Sequence, residues 1–333
     1  MRPLFFSLAL LLVFTTKPAL STAESVKVFL LAGHSNIGGT AFADDLDPAW
    51  NVPQDDVWIW LDHNVDGIGD WAPLEPGHGN VTHSARPDDP EGITPPDDGR
   101  PRVGPELSLG RTLADAYPDS RIAIIKQVRS GTIAEWSPAN VGPPDTLDHP
   151  WSSLLQKTGD ALAALENAGH SFEIAGLFWA VGGRDARNWN SNSADPDEVV
   201  VGRDEALARS ATYGVGLTEF IDGVREEFGS NLPIVMTRIG DDIGEPVLLQ
   251  YPGAELVRAA QIEVTSIDPL TTTITGDGIT LGDLVHYDAM GQIEFGRRFA
   301  SAYINRIATP EPSGAMLAVL AIAPFVARKR TAT

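Results

Sequence analysis

Residues 26–39 read Val-Lys-Val-Phe-Leu-Leu-Ala-Gly-His-Ser-Asn-Ile-Gly-Gly, a nearly unbroken apolar run that stops in a small, polar turn. A run with no in-and-out alternation suits a strand buried on both faces, and such strands belong to parallel sheets covered by helices. The rest of the chain repeats the theme. Ile122 to Ile125, Ile174 to Ala180 and Leu232 to Met236 are further short apolar runs, and Thr272 to Thr275 is a weaker one. Between them lie segments of helical period: Glu106 to Tyr117, Trp151 to Ala168, Ala206 to Phe228, Ala254 to Ile267 and Ala289 to Ile307. Alternating strands and helices predict a three-layer α/β/α sandwich around a parallel sheet of about five strands. Val57 to Leu61 offers a further strand inside a long Asp-, Pro- and Gly-rich stretch. Such sheets carry their chemistry beyond the carboxyl ends of the strands, where the turn at Gly33-His34-Ser35-Asn36 falls.

Two parts of a nucleophilic site stand far apart in the chain. Ser35 follows the first strand, and Asp283-Leu284-Val285-His286 precedes the last helix. A hydroxyl, an imidazole and a carboxylate supply a nucleophile, its base and the group that orients the base. Taken alone, a serine after a strand is most often a turn residue or helix cap, and Asp283 also fits a cap. The joint presence of serine and Asp-x-x-His favours the catalytic reading.

The ends carry a different message. Arg2, the apolar run Leu4 to Phe14 and Ser21-Thr22-Ala23 form the pattern of a secretory signal peptide over residues 1–23. Over residues 309–333, Pro310-Glu311-Pro312 precedes an apolar stretch and a terminal Arg328-Lys329-Arg330 cluster, which resembles the bacterial PEP-CTERM sorting signal. That resemblance implies export, a location in the periplasm, at the surface or in the matrix of a Gram-negative bacterium, and envelope sorting machinery as a partner. Residues 24–308 then make one domain. The chain has no cysteine, so thiol nucleophiles, cysteine-ligated metals and disulfides are excluded. A formal charge of −21 argues against nucleic acid as a partner.

Four segments, in order, resemble the blocks of SGNH-type hydrolases, in particular the sialic-acid O-acetylesterase and acetyl-xylan-esterase branch (carbohydrate esterase family six). They are Leu30 to Asn36, Val103-Gly104-Pro105-Glu106, Lys126 to Trp136, and Asp283 to Gln292. The resemblance implies a cofactor-independent serine esterase acting on an acetylated carbohydrate. It makes Ser35 the nucleophile, His286 the base and Asp283 the orienting carboxylate. The backbone amides of Ser35 and Gly104 would form the oxyanion hole. His34, Asn36, Glu106, Arg184 and Trp136 would border the substrate. The chain departs from the pattern at His34, where glutamine is usual. It departs again at Val181 and Gly183, where the related block Trp-x-Gln-Gly-Glu-x-Asp carries polar side chains. Valine cannot donate a hydrogen bond; His34, Arg184 and Asn188 are the available substitutes. These departures keep open an alternative, a catalytically impaired carbohydrate-binding or matrix protein on the same fold.

Three other features have ordinary explanations. Asp62 to Asp70 spaces its oxygen-bearing side chains like the start of a calcium loop, but Pro73 stands where the closing glutamate belongs. A polar hairpin turn explains it better, and no metal site is assigned. Trp71 and Trp136, next to loop residues, are the better candidates for a sugar-stacking surface among several tryptophans. Lys126 and Arg129 read more readily as surface ion-pair partners than as sugar contacts.

Overall fold

The computed structural model describes residues 25–61, 69–79, 100–143, 149–240, 250–283 and 285–308. The signal-peptide and sorting-tail segments, and residues 62–68 of the calcium-like stretch, lie outside them.

Strand β1 (Ser25–Gly33) leads into a four-residue helical turn, α1 (Ser35–Gly38). A short β2 (Ala41–Phe42) and a 3-10 turn (Ala43–Asp45) follow, then β3 (Gln54–Leu61), β4 (Asp70–Leu74) and the two-residue β5 (Arg102–Val103). Next come α2 (Glu106–Ala116), β6 (Ser120–Val128), α3 (Pro150–Asn167) and β7 (Ser171–Ala180). The second half comprises α4 (Gly183–Ala186), α5 (Pro196–Phe228), β8 (Ile234–Arg238), α6 (Ala254–Ile267), β9 (Thr271–Thr275) and α7 (Ala289–Ala308).

The main sheet has seven strands in the order β4-β3-β6-β1-β7-β8-β9, and β4 alone runs antiparallel to its neighbour. This is the α/β/α architecture expected, with a wider sheet. The addition comes at one edge, where β3 and β4 form a hairpin with Leu61 opposite Asp70. The hairpin expected around Asp62–Asp70 therefore has its flanking strands. β2 and β5 pair separately, Ala41 with Val103 and Phe42 with Arg102.

Strand β1 is buried on both faces, which is why its sequence shows no alternation. Val26, Val28, Leu30 and Ala32 join one core with Leu154, Leu217, Phe220 and Val257 from α3, α5 and α6. Phe29 and Leu31 join the other with Leu107, Leu113, Ile293 and Phe299 from α2 and α7. Burying a leucine or phenylalanine side chain contributes about 2 kcal/mol, so both faces of the central strand are strongly fixed. The register puts Gly33 beside Val128 on one side and Ala180 on the other. The chain after β1 thus emerges at the centre of the carboxyl rim, with β6 and β3 to one side and β7, β8 and β9 to the other. That is the topological switch point, where open α/β sheets bind ligands.

Candidate active site

Gly33 sits at φ +150°, and a Cβ there would lie 2.4 Å from the Ala180 carbonyl oxygen, so only glycine lets β1 turn away flush against β7. His34 donates its amide to that carbonyl at 3.2 Å, and Ile37 and Gly38 then donate to the His34 carbonyl at 2.9 Å each. These bonds wind 35–38 into one helical turn with Ser35 at its first position.

The loop before α7 arrives from the other end of the chain. Asp283 Oδ1 accepts the amides of Val285 (2.8 Å) and His286 (2.7 Å), while its Oδ2 lies 2.7 Å from His286 Nδ1. His286 Nε2 lies 2.9 Å from Ser35 Oγ, 251 positions away in sequence. An ionised carboxylate only accepts, so the proton sits on Nδ1 and Nε2 is left to accept from the serine hydroxyl. Partial burial pushes the Asp283 carboxyl up, but the Val285 amide, the His286 side chain and the His286 amide outweigh it and hold the carboxyl below the usual range. It is thus a carboxylate at neutral pH. This geometry can deprotonate a hydroxyl, hold the resulting imidazolium and return the proton to a leaving group.

Asn36 ties the two halves together. Its Nδ2 donates to the Val285 carbonyl at 3.0 Å and its Oδ1 accepts the Tyr287 amide at 3.2 Å. Expected to meet substrate, Asn36 instead uses both ends of its amide to clamp the histidine loop onto the serine turn. His34 Nε2 lies 2.7 Å from the Gly131 carbonyl oxygen, which braces the neighbouring loop.

Four assignments are corrected. The Gly104 amide, expected in the oxyanion hole, donates to Glu106 Oε1 at 2.9 Å and is already committed. Glu106, expected to border the substrate, has no exposed surface, and its Oε2 pairs with Lys126 Nζ at 2.7 Å. Two buried charges on facing elements neutralise each other, so neither is offered to a ligand, and Lys126 is a core residue rather than a surface one. Trp136 is likewise fully buried, edge-on to Trp179 at 4.8 Å between ring centroids, so it packs the core and offers no face to a sugar. Trp71 is half-buried, packs against Trp60 and donates its indole N–H to the Ala161 carbonyl at 3.0 Å.

The stretch after β7 differs from what its motif suggests. Val181 is buried, and its carbonyl accepts the Tyr213 hydroxyl at 2.8 Å. Asn188 is fully committed to backbone, donating to the Val199 carbonyl at 3.0 Å and accepting the Asn190 amide at 2.9 Å, so it substitutes for nothing. Arg184 donates to Ser130 Oγ at 2.7 Å and lies over the partly exposed Trp189 ring at 4.3 Å. Asp185 was not singled out from the sequence. It is buried, both its oxygens lie 3.1 Å from the Ile133 amide, and burial pushes its carboxyl up to about 7. Its signals in the sequence are its place two residues after a glycine pair that ends a strand and its match to the closing aspartate of the related Trp-x-Gln-Gly-Glu-x-Asp block.

An α/β/α sheet with a serine turn at its switch point and an Asp–His pair folded over it defines a serine-hydrolase-like site. Residues 25–305 match the carbohydrate esterase family described as sialic acid-specific acetylesterase. The chain belongs to that family and is a carboxylic ester hydrolase. No curated protein matches it. Among solved structures, a protein from Arabidopsis thaliana is similar at 17% identity and TM-score 0.57, covering 85% of this chain and 98% of its own. NanS is similar at 14% identity and TM-score 0.54, covering 86% and 98%. XAC1771, a carbohydrate acetylesterase from Xanthomonas citri, is similar at 16% identity and TM-score 0.50, covering 84% of this chain and 56% of its own. At these identities the likenesses establish the shared fold.

Proposed function

We propose that the protein removes acetyl groups from a carbohydrate through an acyl-enzyme, with Ser35 as nucleophile, His286 as general base and acid, and Asp283 as the group that orients His286. The observation that carries the reading is the continuous relay Ser35 Oγ–His286 Nε2–Asp283, at 2.9 and 2.7 Å. Ser35 Oγ attacks the ester carbonyl as its proton passes to His286 Nε2. The tetrahedral adduct expels the sugar alkoxide, which takes that proton. Water, deprotonated by His286, then attacks the acetyl-Ser35 carbonyl; the adduct breaks its bond to Ser35 Oγ, which takes the proton back from His286 as acetate leaves. No cofactor enters any of these steps.

The Ser35 amide is the proposed oxyanion donor, since the first N–H groups of a helical turn have no partner within it. With the Gly104 amide committed and Val181 apolar, the hole is short of donors, and one missing donor lowers turnover by about 10²–10³. A slow hydrolase is expected, with His34 and Arg184 at its rim. Export to the envelope belongs to the same proposal and is supported by the signal-peptide and PEP-CTERM-like patterns at the two ends.

Purified protein assayed on acetylated xylan, acetylated sialic acid and a chromogenic acetate, together with labelling by a serine-directed phosphonate, tests the chemistry. Sugar-acetate hydrolysis with the label on Ser35 is expected. Preference for long-chain lipid esters would overturn the substrate, and labelling at another serine would overturn the mechanism. Amino-terminal sequencing of the protein from fractionated cells tests export, and an uncleaved cytoplasmic chain would refute it.

A further inference from the structure

The Lys126–Glu106 pair has no step in the chemistry above, yet it is the most deeply buried ion pair described, with side-chain exposures of 6% and 0%. A buried ion pair is weak as a source of stability, because desolvation offsets the attraction and an apolar pair of similar volume often does as well or better. Where its remaining hydrogen bonds go is more telling. An ammonium has three N–H groups, and Lys126 Nζ has three acceptors: Glu106 Oε2 at 2.7 Å, the Gly38 carbonyl at 2.8 Å and the His78 carbonyl at 3.2 Å. Glu106 Oε1 takes the Gly104 amide at 2.9 Å. Gly38 is the last residue of the turn that begins with Ser35.

The backbone around the pair is built to receive it. A Cβ on Gly104 would stand 2.6 Å from Glu106 Oε2, so glycine lets the carboxylate fold back on the chain. Gly39, at φ +81°, would place a Cβ 2.3 Å from the Gly104 Cα, so the two segments touch backbone to backbone. Arg102 Nη1 donates to the Thr40 carbonyl at 2.9 Å and adds a second tie between them.

We propose that Lys126 and Glu106 are positioning residues for the nucleophile, their pair setting the seating of the Ser35 turn against the Gly104 segment and so aiming the Ser35 hydroxyl and amide. Lys126 holds the turn by its last carbonyl, from strand β6, which lies directly beside β1. Glu106 holds the opposing segment from the start of α2. Loss of the pair lets the turn shift while the sheet stays intact, and a displacement of about 1 Å at a reacting group costs about 10²-fold in rate. The inference rests on the reading of Ser35 as nucleophile.

The test is the full-length protein with Lys126→Met and Glu106→Leu combined, which removes both charges without stranding either. Expected are a folded protein with a lowered melting temperature, because the Gly38, His78 and Gly104 backbone groups lose their partners, a kcat about 100-fold lower, and KM within about threefold. Phosphonate labelling of Ser35 slows in parallel. The pH dependence of kcat/KM keeps its inflection, because neither residue contacts His286. A folded double variant with wild-type kcat and labelling rate overturns the proposal and leaves the pair a packing feature. If the double variant does not fold, Glu106→Gln decides. It keeps an acceptor for Gly104 but weakens the hold on Lys126, so kcat about tenfold lower at unchanged KM is expected, and an unchanged kcat overturns the proposal. Wild-type protein that neither labels nor hydrolyses acetate refutes the Ser35 esterase reading and the inference with it. An active wild type with an indifferent variant refutes the positioning role alone.

Discussion

Two acid–base pairs flank the serine turn, each with its nitrogen and oxygen 2.7 Å apart, and they have opposite surroundings. Asp283–His286 lies on a loop with side-chain exposures of 57% and 24%, three residues apart in sequence. Glu106–Lys126 is all but sealed, and it joins two different elements. The exposed pair costs little to assemble, because a short loop and two backbone amides pre-set the carboxylate, and water still reaches it. The sealed pair carries a large desolvation cost that burial imposes on Lys126, pushing its ammonium below the ordinary range while Glu106 opposes the shift. Such a pair is suited to holding backbone in place and poorly suited to exchanging protons. Contact distance alone does not tell a proton relay from a clamp; solvent access and the identity of the remaining partners do.

Four substitutions break or sharpen this contrast. The largest effect is expected for His286→Ala, which removes the proposed base. Turnover on a chromogenic acetate should fall by about 10⁵–10⁶, while the melting temperature stays near wild type because the ring is partly exposed. A fall in kcat smaller than tenfold would show that the exposed pair is not the relay. Asp283→Asn comes next. It preserves shape but favours the wrong imidazole tautomer, and kcat should drop by about 10⁴ with little change in KM. Steady-state kinetics of the folded variant measure it directly.

The third concerns Asp185, a buried carboxyl held by a backbone amide rather than by an ammonium. Its folded-state value of about 7 lies above the ordinary 3.8, raised chiefly by burial against the opposing pull of the Ile133 amide and the Arg209 charge. Folding therefore favours its protonated form, and its contribution to stability is complete below about pH 4 and lost as pH rises through about 7. Asp185→Asn should gain stability relative to wild type across that interval, by an amount on the order of 3 kcal/mol, with no further gain above pH 8. Urea unfolding of both proteins at pH 5 and pH 8 checks it, and a difference independent of pH would contradict it. The smallest effect is expected at the surface. Arg111 meets Asp56 at 2.7 Å with more than half of the Asp56 side chain exposed. Asp56→Asn should cost under about 1 kcal/mol, measured as the shift in the urea midpoint, and the cost should shrink in high salt.

Much of the scaffold was legible in the residues. Ala254 to Ile267 and the start of the last helix at Ala289 were readable to the residue, because their apolar faces repeat at helical spacing and clear breakers bound them. The first part of α5 was not. Residues 196–205 pack little and leave Val200 and Val201 exposed, so no apolar stripe announced a helix there. Its signal was local instead: Asp195 caps the helix by accepting the Asp197 amide at 2.9 Å, with Pro196 at the first position. Strand β4 was legible only as the far flank of the hairpin expected around Asp62–Asp70, since Asp-Trp-Ala-Pro-Leu carries a proline that an edge strand tolerates and a central strand does not.

For the site, the sequence by itself determined which side chains are present and in what order: Ser35 after a strand, Asp283 and His286 three apart before a helix. Short-range pattern suffices there, because a strand end, an Asp-x-x-His turn and a helix start are each set by neighbours in the chain. Only the tertiary structure decided what Gly104, Glu106, Lys126, Asn36 and Trp136 do. A buried lysine and a surface lysine read alike in sequence, and a glycine amide aimed at an oxyanion reads the same as one already taken by a carboxylate. The difference lies in partners contributed by other elements, and burial is the property that makes those partners obligatory.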